Sequence, residues 1–525
     1  MRRLSVLLLA AGLLLGSWSN AHAVDVSAKG EWNVSFDYGQ NGKFTSGETT
    51  GWGRGGEDEF EAKQRFRTQI DAASSEALSG TLFFEIGSSL WGKATSDGRN
   101  YSRGGAALGA DSTSVIKLRR AYIDWMVPYT DLQVRMGIQG MEFPSYTTGG
   151  MVFNDDVAGI ATTYTFTDNV GISVLWARPY NDNNDGGYYA NTYKAQGYQD
   201  NFDVFALLIP LSFDGVKVTP WGAYATIGPY WDNNSCWIAR NPEKEPTSYR
   251  YTAAGISPVG GPRHKDGTSK YARDVDMRNS LHANGDAFWA GLTGEVTLFD
   301  PFRIAWDFNY GSIQWHDDGS RNRSGWLASL LMEYKTDFVT PGIYGWYGSG
   351  DDSNPANGSE RMPYISVANT NNGFSDFAAN GAPWDHSREG LLTANWNGTW
   401  GVGLRFKNIS FVEDLKHTLY VNYIGGTNSP AMAKKVFLQN GYASNDATIE
   451  GKDPLYLTTL DSALEFGLRN QYQIYENLQL YVEGAYIMTM LSKNKKVWGR
   501  TNMNGKGEDT VNDPWNVNMT LVYSF

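Results

Sequence analysis

The stretch Trp515-Asn516-Val517-Asn518-Met519-Thr520-Leu521-Val522-Tyr523-Ser524-Phe525 places an apolar or aromatic residue at every odd position. Every even position but Val522 is small and polar. A strict period of two marks a β-strand with one greasy face and one wet face. An aromatic residue as the last of these alternating positions is unusual for a soluble domain.

The same alternation recurs throughout the chain. Trp32, Val34, Phe36 and Tyr38 share a face opposite Glu31, Asn33, Ser35 and Asp37; Phe60, Ala62, Phe66 and Ile70 oppose Glu61, Lys63, Arg65, Arg67 and Gln69. Phe302, Ile304, Trp306, Phe308 and Tyr310 oppose Arg303, Asp307 and Asn309, and Leu464, Phe466 and Leu468 oppose Glu465 and Arg469. The connections fall into two kinds. Short ones carry turn residues, as at Pro128-Tyr129-Thr130-Asp131, Thr167-Asp168-Asn169, Asp214-Gly215, Asp300-Pro301 and Tyr475-Glu476-Asn477. Long ones, at 40–59, 88–113, 178–200, 228–286, 348–396, 425–461 and 491–514, are polar and rich in Gly, Asn and Asp. Short turns on one side and long loops on the other describe a transmembrane antiparallel β-barrel, all-β, with about 16–18 strands. The rhythm favours nine hairpins, and merging two weak segments gives the lower count. Mean hydropathy is −0.42. That suits a barrel, which shows lipid only alternate residues, and 14% aromatic residues suit interfacial girdles.

Arg2 and Arg3, the apolar run Leu4 to Leu15 and the small-x-small site Ala21-His22-Ala23 read as a secretory signal peptide over 1–23. The mature chain, 24–525, then reads as one barrel domain. No other stretch approaches the roughly 20 apolar residues of a membrane helix. Removing 1–23 leaves 42 basic against 56 acidic residues, a net charge of −14 that argues against a nucleic-acid partner. Cys236 is the single cysteine, so no intrachain disulfide can form. The six histidines do not cluster, no HExxH, CxxC or GxSxG motif occurs, and no cofactor is expected.

Lys63, Arg65 and Arg67 decide which face is which. A Lys or Arg facing lipid at mid-bilayer costs roughly 2–4 kcal/mol, so the charged face is expected to line the lumen. The segment Val115 to Val127 resists this reading: one register sends Lys117 and Arg119 inward with Arg120 and Asp124 outward, and the other does the reverse. A β-bulge or a subunit interface would each resolve it.

Several segments resemble known families. The final strand resembles the closing strand of outer-membrane barrels, whose terminal Phe is read by the barrel-insertion machinery. The segment Gly140 to Asp156, after the fifth strand, resembles the third loop of the general trimeric porins. That loop folds into the barrel, and its acids face a basic wall. The resemblance implies a constriction built from Lys63, Arg65, Arg67 and Arg135 on strands and Glu142, Asp155 and Asp156 on the loop. Over nearly its whole length, through Glu59-Phe60-Glu61-Ala62-Lys63-Gln64-Arg65-Phe66-Arg67, Leu118-Arg119-Arg120-Ala121-Tyr122-Ile123-Asp124-Trp125 and Tyr523-Ser524-Phe525, the chain resembles the outer-membrane homotrimeric porins of sulfate-reducing bacteria. This implies a homotrimer in the outer membrane of a Gram-negative bacterium, in contact with lipid and lipopolysaccharide and passing small hydrophilic solutes and ions by passive diffusion. The loops at 228–286 and 348–396 exceed those of enterobacterial porins, which leaves the pore width and the constriction loop open.

Two other readings compete. A substrate-specific channel for an anion or sugar would use the aromatic loop residues Tyr188, Tyr189, Trp231, Trp237 and Trp384. An enzyme would need a Ser–His pair or a cleft with paired acids, and the sequence points to neither.

Overall fold

The computed structural model describes residues 24–40, 59–92, 105–106, 116–181, 201–227, 285–315, 322–354, 357–366, 374–375, 396–432, 457–492 and 513–525. They form one closed antiparallel barrel of 18 strands, the higher of the two expected counts. The strands are β1 (Asp25–Gln40), β2 (Glu59–Ser75), β3 (Leu78–Trp91), β4 (Ile116–Met126), β5 (Leu132–Glu142), β6 (Asn154–Thr167), β7 (Val170–Asn181), β8 (Asn201–Leu208, resumed at Leu211–Phe213), β9 (Val216–Ile227), β10 (Gly285–Val296), β11 (Phe302–Trp315), β12 (Arg323–Tyr334), β13 (Thr340–Gly348), β14 (Thr399–Val412), β15 (Leu415–Gly426), β16 (Ser462–Tyr475), β17 (Leu478–Met490) and β18 (Trp515–Ser524). A two-residue segment, Gly105–Ala106, runs parallel to the end of β3. The break in β8 falls at Pro210, which has no N–H to give the ladder.

Each strand pairs with its sequence neighbour, and β18 closes the ring on β1 with Trp32 opposite Tyr523 and Tyr38 opposite Val517. Phe525 extends the seam by one residue. Its N–H donates to the Gly30 carbonyl at 3.0 Å and its carbonyl accepts from the Gly30 N–H at 2.9 Å. Its ring stacks on Phe66 at 5.9 Å and on Tyr523 at 6.1 Å. Closure satisfies every ladder position at the seam, as hydrocarbon requires.

The two faces separate as the charges dictate. Trp32, Phe308, Leu404, Phe466 and Met519 are exposed on the outside, whereas Asn33, Ser35, Asp307, Glu465 and Asn518 are buried within. The short turns fall where the sequence placed them; Gly215, at φ +68°, supplies the left-handed residue of the two-residue β8–β9 turn. The ambiguous strand β4 contains a bulge: Phe83 pairs with Arg120 and Phe84 with Leu118, leaving Arg119 as the extra residue. Ile116, Leu118, Ile123 and Trp125 therefore point outward, and Lys117, Arg119, Arg120, Tyr122 and Asp124 are all withdrawn from the exposed face. The bulge, of the two resolutions, is the one the strand adopts.

Among the described residues no helix is long and apolar enough to cross a membrane. The signal peptide 1–23, Cys236 and the loop aromatics Tyr188, Tyr189, Trp231, Trp237 and Trp384 lie outside the described residues.

Deleting Phe525 removes two seam hydrogen bonds and two aromatic stacks. The barrel should lose about 2–4 kcal/mol of unfolding free energy, measured by urea titration of tryptophan fluorescence in detergent.

Candidate functional site

Two ion-pair networks stand on the inner wall. The first centres on Glu85 of β3. The register sets Arg67 of β2 opposite it on one side and Lys117 of β4 on the other. Its carboxylate lies 2.7 Å from Arg67, 3.3 Å from Arg119 and 3.5 Å from Lys117. Glu31 of β1 sits 3.8 Å from Arg67 and 3.7 Å from Arg65, and Asp156 lies 2.7 Å from Arg120 and 2.6 Å from the Arg119 Nε. Within this network Arg65, Arg67, Lys117, Arg119 and Arg120 outnumber Glu31, Glu85 and Asp156. The guanidinium groups of Arg119 and Arg120 also lie over the Phe83 ring, at 5.9 and 5.5 Å.

The second network centres on Glu333 of β12, which pairs with Arg303 at 3.0 Å, Arg405 at 2.8 Å and Lys407 at 2.8 Å. Arg405 stands on β14, two strands away. It reaches Glu333 because Gly342 of the intervening β13 sits in register with both and carries no side chain. Glu295 of β10 joins Arg303 at 2.9 Å to Lys217 at 3.0 Å. Here Lys217, Arg303, Arg405 and Lys407 outnumber Glu295 and Glu333. A buried glutamate ringed by three cations satisfies the rule that a buried charge needs partners, and among the described residues it leaves cationic charge over. Lys117, Lys217, Arg303 and Lys407 retain 31–52% side-chain exposure, so that excess faces water.

The loop 143–153, between β5 and β6, crosses the lumen. The β4–β5 ladder stops at Ala121–Ile138, and Gln139 to Glu142 pair only with β6. The departure occurs beside Gly137, whose φ of +132° is a conformation that side chains rarely adopt; a Cβ there would lie 2.2 Å from the Ala121 carbonyl oxygen. Arg119 and Arg120 of β4 then hold the displaced hairpin through Asp156. The tip reaches β11. Asp307, 3% exposed, accepts hydrogen bonds from the Ser145 hydroxyl at 2.6 Å, the Tyr146 N–H at 2.9 Å, the Thr147 N–H at 3.1 Å and the Thr147 hydroxyl. Arg303 donates to the Tyr146 carbonyl at 2.9 Å.

A second loop, between β13 and β14, also turns inward, which the sequence reading did not foresee. The Ile365 N–H donates to the Val152 carbonyl and the Asn154 N–H to the Ser366 carbonyl, both at 2.7 Å. Buried Arg323 donates to the Arg361 carbonyl at 2.8 Å, and Trp289 to that of Pro363 at 2.9 Å. Phe374 stacks on Tyr344 at 4.3 Å. Between the loops and the wall lies an apolar cluster that includes Phe143, Val152, Phe153, Trp221, Trp289, Met362 and Ile365. The signal was present in the strands beneath it. Inward positions Phe202, Val204, Ala206, Ala223, Ala225 and Ile227 are as apolar as their outward neighbours, and a strand buried on both faces loses its alternation.

The residues expected at the constriction are distributed as follows. Arg67 belongs to the Glu85 network, Arg65 contacts Glu31, and Lys63 pairs with Glu61 at 2.6 Å; Lys63 and Arg65 are buried. Arg135 makes a two-pronged pair with Asp124, at 2.7 and 2.9 Å, over the Tyr122 ring. Glu142 accepts from the Gly150 N–H at 2.8 Å, Asp155 accepts from the Ser366 hydroxyl at 2.6 Å, and Asp156 is clamped by Arg119 and Arg120. Sequence reasoning passed over Glu85, Glu333 and Asp307, which on a polar strand face look like any other acid.

No family model and no curated protein matches the chain. Solved structures do. The BenF-like porin of Pseudomonas fluorescens Pf-5 superposes with a TM-score of 0.48 at 10% identity, over 95% of this chain and 99% of its own. OpdQ of Pseudomonas aeruginosa gives 0.46 at 10% identity, over 95% and 98%, and OccK2 (OpdF) of the same organism, solved with glucuronate, gives 0.46 at 9% identity over the same shares. At these identities the likeness is one of fold.

Proposed function

We propose that this protein is an outer-membrane porin: a water-filled channel through which small hydrophilic solutes and ions diffuse passively across the outer membrane of a Gram-negative bacterium. One observation carries the reading. The inner wall of a closed barrel holds two clusters of half-exposed charged side chains, beside a loop that narrows the lumen without filling it with apolar residues on every side. Charges so placed orient polar solutes and penalise apolar ones. Among the described residues Glu85 and Glu333 each hold three cations and each network has two more cations than carboxylates, which favours anions. The substrate-specific alternative is kept for the same reason: a cationic passage narrowed by two loops suits an anionic solute better than a neutral one.

The rest of the reading follows the resemblance to porins of sulfate-reducing bacteria. The protein is a homotrimer, each barrel with its own pore. It is delivered by a signal peptide cleaved after Ala23 and inserted by machinery that reads the final strand. Its outer face meets lipid and lipopolysaccharide, and it works without catalysis or cofactor. Lys63, Arg65, Arg67, Arg135, Glu142, Asp155 and Asp156 belong to the pore wall and constriction, with Lys117, Arg119, Lys217, Arg303, Arg405 and Lys407 beside them.

Reversal potentials across a salt gradient test the charge argument. At low salt, where the screening length is about 30 Å at 0.01 M, the wild type should favour chloride over potassium. Replacing Lys117 and Lys407 by Ala leaves Glu85 and Glu333 with two cations each, so the barrel keeps its ion pairs. The preference should shift toward potassium, and an unchanged reversal potential would remove both lysines from the pathway. Near 1 M salt, where screening acts within about 3 Å, wild type and variant should converge.

A further inference from the structure

Asp307 lies on none of the charged stations that select ions, yet it gathers more donors than its surroundings require. It stands in register between Thr293 of β10 and Ser329 of β12. Thr293 is its one donor from the wall, through its hydroxyl. The Ser145 hydroxyl, the Tyr146 N–H and the Thr147 N–H and hydroxyl come from the loop tip. The Thr147 hydroxyl also meets that of Ser329 at 2.7 Å. Asp307 is the wall's half of a cradle, and the three consecutive residues Ser145, Tyr146 and Thr147 are the other half.

From this juxtaposition we infer that Asp307 is the positioning residue that fixes the loop 143–153 across the lumen and so sets the width of the pore; the claim about width rests on the porin reading. The chemistry is specific to a carboxylate. Its two oxygens offer about four acceptor sites and no hydrogen, so the donors converging from the loop tip find acceptors on both oxygens. Hydrogen bonds to a charged acceptor are also stronger than those between neutral groups. Asparagine has nearly the same shape but would turn an NH2 group toward donors. The cradle is needed because the hairpin has left the wall: above Ile138 it has no ladder to β4, and apart from the cradle it is held by the Asp156 clamp, the Arg303 bond to the Tyr146 carbonyl and backbone bonds to the second loop.

The test uses a staple at the point where the loop touches β12. In a Cys236→Ser background, Thr147→Cys and Ser329→Cys place two thiols where the hydroxyls now meet, a separation a disulfide can close. With Asp307 present, the thiols of the folded protein in detergent should pair rapidly under mild oxidant. With Asp307→Asn added, the pairing rate should fall about tenfold, because the docked loop loses bonds to a charged acceptor. In planar bilayers Asp307→Asn alone should give a noisier current with about twice the wild-type single-channel conductance, as the narrowest section widens. The oxidised staple should return the double-cysteine Asp307→Asn protein to wild-type conductance, and reductant should undo the return. Equal pairing rates with and without Asp307, or wild-type conductance in Asp307→Asn, would overturn the inference. Pairing rates that differ while the wild type passes no current would instead overturn the porin reading and leave the positioning role standing.

Discussion

The ladder between β1 and β18 is the constraint on which everything else rests. An open sheet in hydrocarbon would expose a row of unpaired N–H and C=O groups, each costing several kcal/mol. The pairing of Glu31 to Gln40 with Trp515 to Ser524 removes that edge. Once the ring is closed, alternation has only one reading: outward positions meet lipid and inward positions meet the lumen. Trp32 and Asn33, adjacent in the chain, therefore live in different solvents.

The lumen solves a different problem. Its charged side chains are partly withdrawn from water, and an isolated buried charge is costly. The wall meets this by sharing: one glutamate serves three cations at Glu85, and another does so at Glu333. Gly342 shows how far the backbone accommodates the arrangement, since a side chain there would press on Glu333. On the porin reading proposed above, stability and selectivity come from the same contacts. The pairs keep the cations in place, and the imbalance within each network supplies the field. Over β8 to β10 two loops instead pack on an apolar cluster against the inner wall.

Much of the barrel was legible because period-two alternation survives wherever one face is wet. Strand β18, its partner around Trp32 to Tyr38, the short turns and the inward face of Arg65 and Arg67 all follow from that rule. Strand β4 was legible only in part: its conflicting registers pointed to a bulge or a subunit interface, and the residues Leu118-Arg119-Arg120-Ala121 did not choose between them or place the extra residue at Arg119. The fifth-strand loop was found through its resemblance to porin loops, but the partners of its acids were not. Asp156 is held by Arg119 and Arg120, and their approach depends on the hairpin leaving the wall at Gly137. The second inward loop was missed although Phe202, Val204 and Ala206 carried its trace, a strand too apolar on its wet side. Asp307 was invisible, since its role depends on three residues about 160 positions earlier in the chain.

The central claim is that the charged inner wall borders a continuous aqueous path. Single-channel recording of the purified, refolded protein in planar bilayers at high salt tests it most directly, with β-sheet circular dichroism and resistance to unfolding in detergent as proof of folding. The account predicts discrete, stepwise increments of current, linear in voltage over the low range. Folded protein that inserts into the bilayer and leaves it silent at every voltage and salt concentration would contradict it.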